Sequence, residues 1–404
     1  QGVSSAASDV YKRQIQNQPI WVGGALFYLV VLSLLTWLNA NLLSSRPFPV
    51  GDLAADMLLG NELEQQGYLL HGHYSRWGFY HPGPYWLFFN ALIERLFHYA
   101  LLSRFQVWML GSVFFNATLI TVLAISFSQY LKQKLDWVLA AFLVAILLAL
   151  CGADVTSLWA PWRIVIPYLC FLVYCLQVSV GNHRAVVVSA FLAGILIHGY
   201  VTMPVFTLPV LSWAVWAGNS EGKFHNRGQI AASIWYALGI LLLFAAPILL
   251  DAYVRGASSN LAKLVQVRSS LSGSAKPGIK ELAAFFREVL RINEHYILWS
   301  AFLLMIGFQC LKSWYSELSM SLRLRRIIWL SGMVSFFMII VYARTPSPLY
   351  AFTGQFFLVV PILLVAAACY PTLEGLIRFG RESVGPKSWA VSYTHLTLPT
   401  ILLV

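Results

Sequence analysis

Residues 185–220 read AVVVSAFLAGILIHGYVTMPVFTLPVLSWAVWAGNS, without one Asp, Glu, Lys or Arg. At about 1.5 Å per residue, one helix of this length far outruns the ~30 Å hydrocarbon core of a bilayer. His198-Gly199 and Pro204 sit near its middle, where glycine and proline interrupt helices, so the stretch reads as two crossings joined by a break. Similar apolar runs recur. Spans are expected at 18–42, 105–131, 137–153, 164–182, twice within 185–220, and at 229–250, 295–311, 327–343 and 349–371, ten in all.

Composition sets the class. Apolar residues make up 59% of the 404-residue chain and charged residues 11%, against about 25% charged in a soluble domain. One soluble core does not hide that much apolar surface, so the expectation is an all-α polytopic membrane protein. The +11 formal charge does not imply nucleic acid, because Lys and Arg lie in short loops, where they set topology. The loops holding Lys132/Lys134, His183/Arg184, Lys223/Arg227, Lys312–Arg326 and Arg378–Lys387 fall on one side in the ten-span scheme, which the positive-inside rule makes cytoplasmic. The 44–104 loop, Asp154–Arg163, the 251–294 loop and Arg344–Pro348 then share the outer side. Cys151, Cys170, Cys175, Cys310 and Cys369 lie in or beside apolar runs and read as packing residues rather than a metal site. Residues 5–14 and 391–400 resemble translated sequencing-adapter read-through. Segments 1–14 and 391–404 are therefore expected to be non-native, and the chain proper to cover about 15–390.

The polar chemistry gathers in one place. Between Arg46 and Arg104 the chain carries Asp52, Asp56, Glu62, Glu64, Glu94 and four histidines, with Gly78-Phe79-Tyr80-His81-Pro82-Gly83-Pro84 among them. Asp52–Gln66, with Leu53, Met57, Leu58 and Leu63, reads as an amphipathic helix on the membrane surface. Tyr85–Ala100 carries Glu94, Arg95 and His98, too much charge for a comfortable crossing, and reads as a partly inserted helix.

A first span, an outer loop opening on an acidic residue, two juxtamembrane helices, an aromatic-His-Pro-x-Pro turn and a second acid at Asp154 resemble the GT-C membrane glycosyltransferases. Within them the chain is similar to the branch of protein mannosyl-, aminoarabinose- and arabinofuranosyltransferases over roughly residues 18–250. The resemblance implies a GT-C-like catalytic module over 15–250, an outer loop at 251–294 and C-terminal helices over 295–390. It also implies a place in a bacterial inner membrane with the site facing outward. The donor would be a sugar on a polyprenyl phosphate, and the acceptor a glycan, lipid or protein. The family often has Asp-Glu where this chain has Asp52-Leu53, which leaves open whether Asp52 and Asp154 hold a divalent cation (Mg, Mn or Zn).

Such a transfer needs a carboxylate near the acceptor hydroxyl and a cation near the departing phosphate. Asp52 is the candidate base and Asp154 its helper. Arg163, Arg255, Arg268 and Arg344 are the candidate phosphate ligands, and Tyr74, Trp77, Tyr80, His81 and Trp162 the candidate sugar contacts. Plainer readings stand beside these: Asp52 and Asp154 as caps, His81 as a turn residue, the aromatics as an interface belt, and His198 as a satisfied core histidine. A transporter or flippase for a lipid-linked or small polar substrate is the alternative function.

Overall fold

The computed structural model describes residues 20–45, 48–131, 137–224, 226–271, 273–295, 299 and 322–365. Both adapter-like segments, the Lys132/Lys134 loop, Cys310 and Cys369, the basic stretches 312–321 and Arg378–Lys387, and the expected span at 295–311 apart from His295 and Trp299 lie outside these. Among the described residues the fold is all-helical, with no strand. In order come α1 (Ile20–Leu38), α2 (Ala40–Ser44), α3 (Asp52–Gln66), α4 (Tyr85–Leu96), α5 (Arg104–Leu131) and α6 (Trp137–Cys151). After them run α7 (Ala160–Arg163), α8 (Val165–Ser179), α9 (Arg184–Gly199), α10 (Met203–Ser220) and α11 (Arg227–Arg255). The chain continues through α12 (Asn260–Ser270), α13 (Ile279–Val289) and α14 (Leu322–Arg344), with 3-10 turns at Gly152–Thr156, Gly256–Ser258 and Ala351–Leu358.

Among the described residues, four stretches are long and apolar enough to cross a membrane: Arg104–Phe127, Ala160–Ser179, Arg227–Ser258 and Arg325–Arg344. Shorter apolar helices cover Gly23–Leu38, Ala141–Thr156, Arg184–Gly199 and Ala351–Val365. The uncharged run at 185–220 is broken by Tyr200–Thr202, between α9 and α10.

Two apolar helices meet opposite surroundings. In α8 every residue except Tyr174 is buried, because α5, α9, α10, α14 and the Ala351–Leu358 turn pack around it. Helix α11 packs chiefly on α9, where Gly194 lies so close to Phe244 that no Cβ fits. Its far face is open, with Trp235, Leu243 and Tyr253 at 73%, 74% and 88% exposure. A face that large and apolar suits lipid rather than water.

Helix α3 starts and stops where the sequence reading placed it, and of its expected apolar face Leu63 is buried, Leu53 and Met57 pack at its edge, and Leu58 alone is turned outward. Asp56, Leu59, Gly60 and Leu63 point inward at helical spacing, while Leu58 is exposed. Gly60 leaves room for the Trp108 ring. Helix α4 has 12 residues, about 18 Å at 1.5 Å per residue, well short of a bilayer core. Its Glu94 pairs with Arg104 at the start of α5 and with Trp108 Nε1.

Loops collect at two ends of the bundle. At one, Arg326 at the start of α14 pairs with Glu221 and donates to the Ala217 carbonyl, Tyr130 donates to the Arg323 carbonyl, and Gly181 abuts Lys223. At the other, the chain after α3, the turn before α8, the α9–α10 break, α12 and the residues after α14 come together. With the native cysteines replaced, single cysteines at Gln66 and Gln266 are expected to react with a membrane-impermeant maleimide on intact cells, and one at Lys223 only after permeabilisation. Labelling of Gln66 and Gln266 from opposite sides would refute this arrangement.

Candidate functional site

The site is built on a small hairpin. Gly67, in the left-handed region at φ 77°, ends α3 and turns the chain back. Gly72 N–H then donates to the His81 carbonyl and His81 N–H to the His73 carbonyl, each at 2.8 Å, with one antiparallel bridge at Tyr74 and Tyr80. Asp56, 4% exposed on the inner face of α3, fixes this hairpin. Its carboxylate accepts from His73 Nδ1–H at 2.7 Å and from Tyr74 N–H at 3.0 Å. A buried carboxylate without such partners would cost several kcal/mol.

The His-Pro-Gly-Pro turn seats the hairpin on the bundle. A Cβ at Gly83 would overlap the His198 ring, and one at Gly72 would overlap the Gly83 carbonyl. His198 is the satisfied core histidine: Nε2–H donates to the Phe244 carbonyl at 2.6 Å, one turn before Pro247, and Nδ1 accepts from Tyr85 N–H at 3.3 Å. His81 Nδ1 accepts from Val201 N–H at 3.3 Å, and its ring stacks on Tyr200 at 4.8 Å. Burial drags its pKa down to about 3, so it is a neutral clasp between the hairpin and the α9–α10 break.

A second clasp comes from α12. Asn260 Oδ1 accepts from Tyr80 N–H at 2.7 Å and its Nδ2 donates to the Tyr80 carbonyl at 2.8 Å, joining residues 180 apart. Asp251, 1% exposed at the end of α11, accepts from Asn260 N–H at 2.6 Å and pairs with Arg255 at 3.4 Å. His71 stacks on Tyr80 with ring centres 4.0 Å apart.

Between these clasps lies a cavity of about 350 Å³ whose wall includes Asp52, Asp56, His73, Arg76, Trp159 and Tyr350. The Asp52 carboxylate accepts from Trp159 Nε1–H at 2.9 Å and lies 3.9 Å from the Arg76 guanidinium. A neighbouring cavity of about 460 Å³ is lined by Asp154 and shares Asp52, Arg76 and Trp159 with the first. Burial raises the Asp154 carboxyl above its ordinary range, and nearby Arg291 opposes the shift. A carboxylate open to two cavities, an imidazole and aromatic walls make a setting for acid–base chemistry on a polar ligand.

Of the residues expected from sequence, Asp52, Tyr74, Trp77 and His81 line the first cavity, and Asp52 and Asp154 share the second. Tyr80 is instead held by Asn260 and His71. Trp162 packs in the core beneath Arg291, and Arg163 is buried with Asn90 at 2.7 Å and the Trp86 ring at 4.2 Å. Arg255 is turned to Asp251, while Arg268 and Arg344 are exposed; none of these four arginines lines either cavity. Asp56, His73, Arg76 and Trp159 take the wall instead. In the sequence Asp56 is only one of several acids in the outer loop, and no spacing rule links it to His73. Trp159 lies inside the polar stretch Asp154–Arg163, where Trp162 drew attention first.

For a divalent cation, Asp52 and Asp154 are brought to one cavity, but among the described residues no group of three or more His, Cys, Asp or Glu is arranged to hold one. Comparison with protein-family models, curated proteins and solved structures finds no match. The class that fold and site define is therefore coarse: among the described residues, an all-helical protein with four helices fit to cross a membrane and, at one end of the bundle, a cavity that has Asp52, Asp56, His73 and Arg76 on its wall.

Gly83→Ala is expected to destabilise the folded protein by about 1–3 kcal/mol, because the methyl has no space beside a ring tied down at both nitrogens. Thermal unfolding in detergent measures it. A variant as stable as the parent would mean that the turn does not seat on His198.

Proposed function

We propose that the chain is an integral membrane glycosyltransferase that moves a sugar from a polyprenyl phosphate to an acceptor hydroxyl or amine at the outer face of a bacterial inner membrane. The observation that carries this reading is the first cavity: residues far apart in sequence meet there around the Asp52 carboxylate, under aromatic walls formed by Tyr74, Trp77 and Trp159. Aromatic faces stack on sugar rings, and a carboxylate at the mouth of the outer loops can take the acceptor proton. In this reading Asp52 is the base, and Asp154, across the shared wall, assists it.

An apolar groove of about 850 Å³ beside the His-Pro-Gly-Pro turn adds support. Leu69, Leu70, Phe88, Leu243, Phe244 and Leu250 line it, between the loop and the open face of α11. Lipid-facing and apolar, it suits the prenyl chain of the donor. Its wall includes Pro84 and Tyr85, close in sequence to His81 on the first cavity.

Replacing Asp52 by Asn keeps size and the Trp159 contact but removes proton acceptance. Transfer from a polyprenyl-phosphate donor by purified protein is expected to fall by about 10²–10⁴-fold, the usual contribution of a general base. Glu62→Gln, off the cavity wall, serves as control and should leave turnover within about threefold; Asp56 cannot serve, because it holds His73. Full activity of Asp52→Asn would sink the role of that residue. An absence of transfer with every lipid-linked donor would favour a transporter.

A further inference from the structure

His73 is 2% exposed and lines the first cavity. One ring nitrogen, Nδ1, is fixed by the Asp56 carboxylate at 2.7 Å. The other, Nε2, is buried and has no hydrogen-bond partner among the described residues. Leaving a buried polar atom unpaired costs about 1–3 kcal/mol, so such an atom on a cavity wall asks for a ligand. The cavity is also short of cations. Among the described residues that line it, Arg76 is the one Lys or Arg, and it is half-exposed and turned to Asp52. His81 does not fill the gap, because its buried ring is neutral and its Nδ1 already accepts from Val201.

We propose that His73 donates a proton from Nε2 to the departing lipid phosphate, and that Asp56 is its positioning residue. The proposal rests on the glycosyl-transfer reading and adds to it a second proton-handling group. As the acceptor oxygen bonds to the anomeric carbon, its proton passes to Asp52. The bond from that carbon to the phosphate oxygen breaks, and its electron pair leaves with the phosphate. His73 enters this step with a proton on each ring nitrogen, opposite the Asp56 carboxylate. Nε2–H protonates a phosphate oxygen and leaves a neutral ring that keeps Nδ1–H, and return of the Asp52 proton to Nε2 through water restores both groups. The departing phosphate gains a second negative charge as the bond breaks, and a proton from Nε2 neutralises it. The Asp56 carboxylate keeps Nδ1–H pointed at itself and thereby aims Nε2 away from it, as carboxylates aim histidines in other acid–base pairs.

The test uses purified full-length protein and a sugar on a short-chain polyprenyl phosphate. In His73→Gln, kcat is expected to fall about 100-fold or more with the donor KM within about threefold. In His73→Gly, added imidazole is expected to restore part of the lost rate, which a purely structural histidine would not allow. Asp56→Asn keeps an oxygen for Nδ1–H and is expected to lose about tenfold in kcat. Wild-type kcat in His73→Gln overturns the proposal while leaving glycosyl transfer in place. If the His73 variants fail to fold, Asp56→Asn decides, and wild-type kcat there overturns it equally. No transfer by the unaltered protein with any lipid-linked donor overturns the glycosyl-transfer reading and this proposal together.

Discussion

A carboxylate that is almost fully buried must be paired, and Asp56 meets that requirement by reaching from α3 to the hairpin that follows it. The whole polar end of the molecule hangs on this contact. Once Asp56 accepts from His73 and Tyr74, the hairpin has one position over α3. Its returning arm then presents Tyr80 to Asn260 and His81 to the α9–α10 break. Each later contact joins the hairpin to a different part of the chain, so α3, α9, α11 and α12 are bound into one wall. The cavity is what this wall encloses with Trp159 and the residues after α14.

Close approach sets the geometry as much as hydrogen bonding does. Gly72, Gly83 and Gly194 stand where a side chain would meet a carbonyl, the His198 ring and Phe244 respectively. Gly83 lets the turn after the hairpin lie against α9, and Gly194 lets α11 lie against the same helix. Contacts of this kind matter in an apolar setting, where helices gain little from hiding their side chains and more from dense packing. His198 uses both nitrogens within this junction, which explains a histidine in an otherwise apolar run without a catalytic role.

The candidate site was legible where chemistry follows local sequence. Asp52 directly after the first apolar run, the aromatic turn through His81, and Asp154 after two further runs could be singled out by position, and the structure places Asp52 with Asp154 on one cavity and with His81 on the other. The arginines were not legible. Residence in an outer loop says which end of the bundle a residue occupies, but not where a long side chain turns. Arg163 turned inward to Asn90 and Trp86, and Arg255 to Asp251 one helical turn back. Arg76, one of several charged residues in a crowded loop, took the cavity wall. Nothing in the sequence pairs Asp56 with His73, because they lie 17 residues apart on a helix and a hairpin whose relative placement no pattern encodes.

By itself the sequence determined the helical class, a break near His198-Gly199 and Pro204, and the grouping of polar chemistry into one loop, because apolar runs, glycine, proline and charge act through nearest neighbours along the chain. Glu94, Arg95 and His98 also marked Tyr85–Ala100 in the sequence as no ordinary crossing, and the structure ends that helix at Leu96. Only the tertiary structure decided which apolar helix is central. Helices α8 and α11 are both apolar nearly all round, yet α8 is enclosed by its neighbours and α11 keeps an open face. The same holds for α3, whose inner face carries Asp56 beside Leu59 and Leu63 while Leu58 is turned outward. Which face of a helix is buried depends on what is packed against it. For Asp56 that partner is a histidine on a separate turn of chain, and three-dimensional contact alone brings the two together.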